Sequence, residues 1–165
     1  MYKDMDKILK EYMDKKYLLK KTKAIIQENK EKIEEIKENI TNCNLKLEYW
    51  ANGSDYSERV QTSPKGSSFV EDQIDKGISN LLKEKGETHK FIEEQYKLKR
   101  ELQSYISNVE IALNALKDKD KNIITLFYID QMYYKDICEK LGLSENAVYQ
   151  RKYRALKEFE RLYNM

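Results

Sequence analysis

Apolar residues recur every three or four positions along the first part of the chain, which is the spacing of a helix with one buried side. Thirteen positions taken at alternating steps of three and four from Met5 to Leu47 include ten apolar residues. A half-buried strand would instead alternate at every second residue, so the pattern predicts a long amphipathic helix. Lys and Glu fill most flanking positions, which is typical of a solvated face rather than of a ligand site.

A second apolar seam, expected to be buried, runs from Val70 through Phe91 to Leu116, and ten of its fourteen positions are apolar. Ser67 or Ser68 can cap this second helix. A kink or break is expected around Gly86, since Gly costs about 1 kcal/mol relative to Ala inside a helix. Two helices of similar length favour an antiparallel hairpin, although the seams could equally pair between chains. Polar seam residues could fix the register or be merely tolerated: Lys15, Thr22, Asn29, Glu84 and Gln95.

Residues 50–68 separate the two seams and contain five Ser, two Gly, one Asn and one Pro. This composition predicts a loop. The loop contains the only Trp and the only Pro of the chain. It is either a connector or a recognition segment that uses Trp50, Tyr56 and Arg59.

Composition narrows the class of protein. Hydrophobic residues make up 40% of the chain and charged residues 36%, with five Gly and one Pro, so helix is the expected structure throughout. Two cysteines, Cys43 and Cys138, and one histidine, His89, do not suffice for a zinc site, and both cysteines are expected to be buried fillers in a reducing compartment. We expect no metal and no cofactor. Neither a signal peptide nor an apolar run of about 18 residues is present, which predicts a cytoplasmic location and no membrane partner.

The apolar period shortens after Leu116, and three short helices are predicted over residues 118–129, 133–141 and 145–163. Gly142 is predicted to end the second of these helices, and Ser144 to cap the third. Cys138 is a small residue where two helices would cross, Gly142 can take a left-handed turn four positions later, and Val148 is an apolar residue six positions further on. This spacing is typical of a helix-turn-helix. The predicted fold is therefore all-α, with a helical arm over residues 1–116 and a helix-turn-helix domain over residues 117–165.

The third of these helices carries side chains that suit DNA recognition. Amides and a carboxylate can hydrogen-bond base edges in the major groove, whereas guanidinium and ammonium groups bind phosphates. With Val148, Leu156 and Phe159 turned inward, the candidate base contacts are Glu145, Asn146, Tyr149 and Gln150. The candidate backbone contacts are Ser144, Arg151, Lys152, Arg154 and Lys157.

Two features of this helix allow a second interpretation. Tyr149 and Tyr153 are ambiguous, because Tyr often packs at a domain edge. The net charge of +2 does not single out nucleic acid, but four basic residues and no acidic residue lie between Val148 and Lys157. A basic amphipathic helix within a bundle would carry the same residues.

The segment from Leu116 to Phe159 resembles region four of the primary sigma factors. The shared pattern is an opening Leu, a Tyr that ends the first helix, Tyr-x-x-Ile-x-x-x-Leu-Gly-Leu-Ser beginning at Tyr134, and a closing Arg-Ala-Leu. The usual Pro after the opening Leu is Lys117 here, which affects where the first helix starts. This resemblance places Glu145, Asn146, Tyr149 and Gln150 at base-contacting positions, and Arg151 and Arg154 at backbone-contacting positions.

The whole layout is similar to phage late-gene transcription activators of the RinA and ArpU type, which implies a bacterial host. We therefore expect a sequence-specific regulator of double-stranded DNA, dimeric, whose arm sets spacing or contacts host RNA polymerase. Two alternatives stay open: a phage small terminase subunit that recognises packaging DNA, and a coiled-coil scaffold that does not bind DNA. We do not expect an enzyme, because the chain has no Gly-rich phosphate loop or nucleophile motif.

Overall fold

The computed structural model describes residues 2–45 and 69–165, and these residues form helices without any strand. The predicted loop over residues 50–68 lies outside them. Two long helices come first, α1 over Tyr2–Thr41 and α2 over Phe69–Ala115. They are followed by α3 over Asp118–Ile124, a π-helical turn over Thr125–Ile129, α4 over Tyr134–Leu141 and α5 over Glu145–Tyr163. The prediction of an all-α fold that ends in a helix-turn-helix is confirmed.

The chain packs as two compact units. Met1–Lys23 and Lys97–Met165 form the first, which we call the terminal unit, and Ala24–Tyr96 form the second, the central unit. The division passes through both long helices. The domain boundary predicted after Leu116 stays a prediction about which part can fold alone.

In each unit α1 and α2 pair within one chain, so the seams cover each other. In the terminal unit the hydroxyl of Tyr12 donates to Glu110 Oε1 at 2.7 Å, and Lys16 Nζ lies 3.2 Å from the same oxygen. In the central unit Lys32 Nζ lies 2.7 Å from Glu84 Oε1. Early residues of α1 meet late residues of α2, and later residues of α1 meet earlier ones, as an antiparallel hairpin requires.

The seam of α2 departs from the predicted one in its middle. Phe91 was expected to be buried but is 41% exposed, and the neighbouring Ile92 is buried instead. The helix also continues unbroken through Gly86, where a kink or break was expected. Because an α-helix has 3.6 residues per turn, its buried stripe drifts from a strict alternation of three and four over many turns.

Cys43 also departs from its predicted burial. It follows the end of α1, has a φ of 51° and is exposed, so it is not a core residue. Cys138 is half-buried.

One hydrophobic core holds the terminal unit together. It combines the start of α1, the end of α2 and the three short helices, so the long helices and the helix-turn-helix stabilise each other in this unit. Its buried residues are Met5, Leu9, Tyr12, Ile106, Val109, Ala112, Leu113, Leu116, Ile123, Ile124, Leu126, Tyr128, Ile137, Val148, Ala155, Leu156 and Phe159. In the part of the chain that the structure describes, no helix has an apolar stretch long enough to cross a membrane.

Candidate nucleic-acid interface

A tight turn joins α4 to α5. Gly142 has φ 61° and ψ 35°, the left-handed conformation that suits glycine. Its amide donates to the carbonyl of Glu139 at 3.3 Å, and the amide of Leu143 donates to the carbonyl of Cys138 at 3.1 Å. This pair of hydrogen bonds is the Schellman arrangement that ends many helices. The predicted helix stop at Gly142 is confirmed.

Ser144 begins α5. Its backbone is extended and its Oγ accepts a hydrogen bond from the amide of Ala147 at 3.4 Å, so it is the predicted N-cap. Ile137 on α4 and Val148 on α5 are fully buried, which fixes how the two helices cross. The start of α5 is thereby held on a rigid support.

A further contact at this turn was not foreseen from the sequence. The hydroxyl of Tyr134, the first residue of α4, donates to the backbone carbonyl of Glu145 at 2.7 Å. The ring of Tyr134 lies 5.5 Å from that of Phe127, centroid to centroid. Tyr134 therefore links both preceding helical segments to the first residue of α5. Its place in the Tyr-x-x-Ile pattern was visible in the sequence, but the direction of its hydroxyl was not.

The four candidate base contacts are exposed at the start of α5. Asn146 and Gln150 are four residues apart, so they lie one above the other on one side of the helix, and Glu145 and Tyr149 form a neighbouring row. Tyr149 is 59% exposed. Tyr153, one turn beyond Gln150, is 46% exposed. The described residues thus leave this surface uncovered.

Most of the candidate backbone contacts border the same surface. Ser144, Arg154 and Lys157 are exposed, and Arg151 is half-buried. Arg154 Nε donates to the backbone carbonyl of Gln150 at 3.4 Å, which holds the arginine side chain close to Gln150. Glu158 and Arg161 pair at 2.7 Å just beyond this region, so the first acid after Glu145 is already neutralised.

Lys152 differs from the other cationic residues of α5. It is half-buried between Val148 and Leu156, and its Nζ lies 4.4 Å from the ring centroid of Phe127 and 5.0 Å from that of Tyr128. Burial lowers the pKa of Lys152 and the charge of nearby Asp6 offsets only part of that shift. Its ammonium therefore packs over aromatic rings inside the unit.

Asp6 ties the start of α1 to this region. Its carboxylate accepts hydrogen bonds from the hydroxyl of Tyr128 and pairs with Lys10. Burial alone would raise the pKa of Asp6, but the hydrogen bonds from Lys10 and Tyr128 and the charges of Lys10 and Lys152 hold it below its ordinary value. Asp6 on α1 thus contacts the π-helical turn, whose Tyr128 ring lies beneath the ammonium of Lys152.

The geometry is that of a helix-turn-helix, and the comparison with known families agrees. Residues 108–159 match the family Sigma-70, region 4. The chain thus contains a region 4 domain, and this supports DNA binding in transcription regulation. The match begins inside α2, eight residues before the predicted opening Leu116, which fits the burial of Val109, Ala112 and Leu113 in the shared core. No curated protein and no solved structure matches the chain.

Proposed function

We propose that the protein is a sequence-specific transcriptional regulator that inserts the start of α5 into the major groove of promoter DNA. One observation carries this proposal: a region 4 domain presents an exposed pair of amides, Asn146 and Gln150, on the first turns of its last helix. Asn and Gln can each bind the two polar atoms of an adenine edge. The amides are held on a capped, packed helix, so little flexibility is lost on binding.

The roles of the surrounding residues follow from their placement. We propose that Glu145, Asn146, Tyr149 and Gln150 contact base edges, and that Ser144, Arg151, Arg154 and Lys157 contact phosphates. Lys152 is the exception, because its ammonium lies over Phe127 and Tyr128. We propose for it a packing role rather than the phosphate contact expected from the sequence.

A substitution distinguishes the two roles of Lys152. Lys152→Met keeps the apolar stem over the rings and removes the charge, so we expect the salt dependence of DNA binding to change little. Arg154→Ala should lower the slope of log affinity against log salt by about one. If Lys152→Met lowers the salt slope as much as Arg154→Ala does, Lys152 contacts a phosphate, as expected from the sequence, and the packing role is wrong. Both slopes can be measured by fluorescence anisotropy with a labelled duplex.

The finer biological role is also a proposal. The resemblance of the layout to RinA and ArpU type proteins supports activation of phage late genes in the cytoplasm of a bacterial host. We propose a homodimer, which would place two copies of α5 on half-sites about one helical turn apart or more. We also propose that the protein contacts host RNA polymerase, a contact that the presence of a region 4 domain supports.

Selection of bound fragments from a phage genome, followed by footprinting, tests this function. We expect one protected site beside a late promoter, and a footprint of two half-sites if the protein binds as a dimer. Protection at a packaging site would support a small terminase subunit instead. Weak binding that salt abolishes, without any selected site, would support a scaffold and contradict the proposal.

A further inference from the structure

The two units of the chain carry charges of opposite sign. Ala24–Tyr96 contain 10 basic and 15 acidic residues, a net charge of −5, whereas the terminal unit contains 21 basic and 14 acidic residues, a net charge of +7. The total of +2 conceals this separation. A surface of net charge −5 repels DNA phosphates. The central unit is therefore suited to a partner of a different kind from that of α5.

An open groove of about 740 Å³ runs between α1 and α2 on one side of the central unit. Its floor is apolar, since Ile33 and Ile92 line it and Tyr96 packs against them. These side chains belong to a small buried cluster whose remaining member is Ile26. Ile33 and Ile92 are themselves buried, at 4% and 7% exposed, whereas the half-buried Tyr96 leaves apolar surface in the groove that a third helix laid along it would cover.

The rim of the groove is predominantly acidic. Lys37 Nζ lies 2.6 Å from Glu34 Oε1, and Lys30 Nζ lies over the ring of Tyr96 at 5.6 Å from its centroid, so both rim lysines already have contacts within the unit. The carboxylates outnumber them. The polar residues that line the groove are Gln27, Lys30, Glu31, Glu34, Glu35, Lys37, Glu38 and His89.

We propose that this groove binds a basic amphipathic helix of a partner protein. Apolar side chains of the partner at steps of three and four would pack against the half-buried Tyr96 and over the buried Ile33 and Ile92, as helices bound in grooves do. Its flanking Lys or Arg residues would face the carboxylates of the rim, which favours this partner over neutral or acidic helices. Another copy of the central unit is not a suitable partner, because two surfaces of net charge −5 repel each other. The groove shares no residue with the proposed DNA contacts of α5, and this proposal does not rest on them.

A designed probe tests the proposal with the full-length protein. The probe is a fluorescent peptide of about 18 residues, long enough to form a helix on binding, with Leu at steps of three and four and Lys elsewhere. Two control peptides carry the same residues in scrambled order, or Glu in place of Lys. Fluorescence anisotropy should show saturable binding of the probe and no saturable binding of either control peptide. Equal binding of the scrambled peptide would overturn the proposal, because it would reveal attraction by charge without a groove.

Charge reversal locates the site. Glu31→Lys combined with Glu38→Lys changes two rim residues and should weaken probe binding roughly tenfold. The matched control is Glu28→Lys combined with Glu94→Lys, which makes the same change of charge at exposed residues outside the groove and should leave binding near that of the unmodified protein. Circular dichroism checks that each variant is folded.

Two outcomes of this comparison would overturn the proposal. Equal loss of probe binding in both double variants would show that the rim is not the site. Dispersal of a dimer by the rim variant alone, measured by analytical ultracentrifugation without probe, would assign the groove to a second copy of the chain.

Discussion

At the scale of single residues, Gly142 determines where α4 ends and how α5 begins. A Cβ at this position would meet no atom within 4 Å, so the only cost of a side chain is its left-handed backbone. We expect Gly142→Ala to lower the free energy of unfolding by about 1 kcal/mol. Gly86→Ala is the control: Gly86 is exposed within α2 and also has open space, so Ala should stabilise by up to about 1 kcal/mol. Urea denaturation measures the free energy of unfolding of both variants. If the two substitutions change it in the same direction, this account is wrong.

The Asp6 carboxylate predicts a dependence on pH. Because its pKa in the folded protein lies below the ordinary value of 3.8, its contacts stabilise the fold above that pH and lose this effect as the pH falls through the lower, folded pKa. We expect Asp6→Asn to lower the free energy of unfolding near pH 7, and the difference to shrink at about pH 3. Asp14→Asn, an exposed change on the same helix, is the control. If Asp6→Asn lowers the free energy of unfolding equally at both pH values, the charge on Asp6 does not stabilise the fold.

The roles of some residues could be predicted from their neighbours in the sequence, whereas the roles of others could not. Gly142 and Ser144 follow from the sequence because their roles depend on their own backbone and near neighbours. The placement of Lys152 does not, because a lysine four residues from Val148 and from Leu156 can extend to solvent or fold over Phe127. The DNA contacts assigned to α5 stay predictions, because no residue spacing reports which side chain meets which base.

At the scale of helices, α1 supports the helix-turn-helix directly. Leu9 is fully buried in the core that contains Phe159 and Val148. We expect Leu9→Ala to destabilise the terminal unit by about 2 to 5 kcal/mol and to reduce amide protection throughout α5. Leu18→Ala, at a position 40% exposed on the same helix, should have little effect. Hydrogen exchange measured by mass spectrometry tests whether α5 depends on α1. If the helix-turn-helix folds alone, α5 will keep its amide protection when Leu9 is replaced.

Helices differed in how far the sequence could define them. The predicted range 145–163 coincides with α5, because Ser144 caps its start and Val148, Leu156 and Phe159 mark its buried side. The π-helical turn at Thr125–Ile129 was expected to be ordinary helix. It accompanies the burial of both Leu126 and Tyr128, and the hydroxyl of Tyr128 meets Asp6, 122 positions away. A contact so distant along the chain leaves no local signal.

At the scale of the whole molecule, the net charge differs in sign between the two units, and we propose that their functions differ as well. The terminal unit, with net charge +7, contains the region 4 domain, and the central unit, with net charge −5, contains the acidic groove. The division of charge could have been counted from the sequence, but the limits of the two units could not, because they fall within continuous helices. We therefore infer that DNA binding and protein binding use separate parts of one chain.

The most direct test measures the binding of four variants to a selected DNA site and to random DNA across a range of salt. Asn146→Ala and Gln150→Ala should each lose about 1 to 3 kcal/mol of preference for the selected site while binding random DNA almost unchanged. Arg151→Ala and Arg154→Ala should weaken binding to both duplexes alike and lower the salt slope by about one each. If all four variants lose affinity equally on the two duplexes, the start of α5 does not read sequence, and the proposed function is wrong.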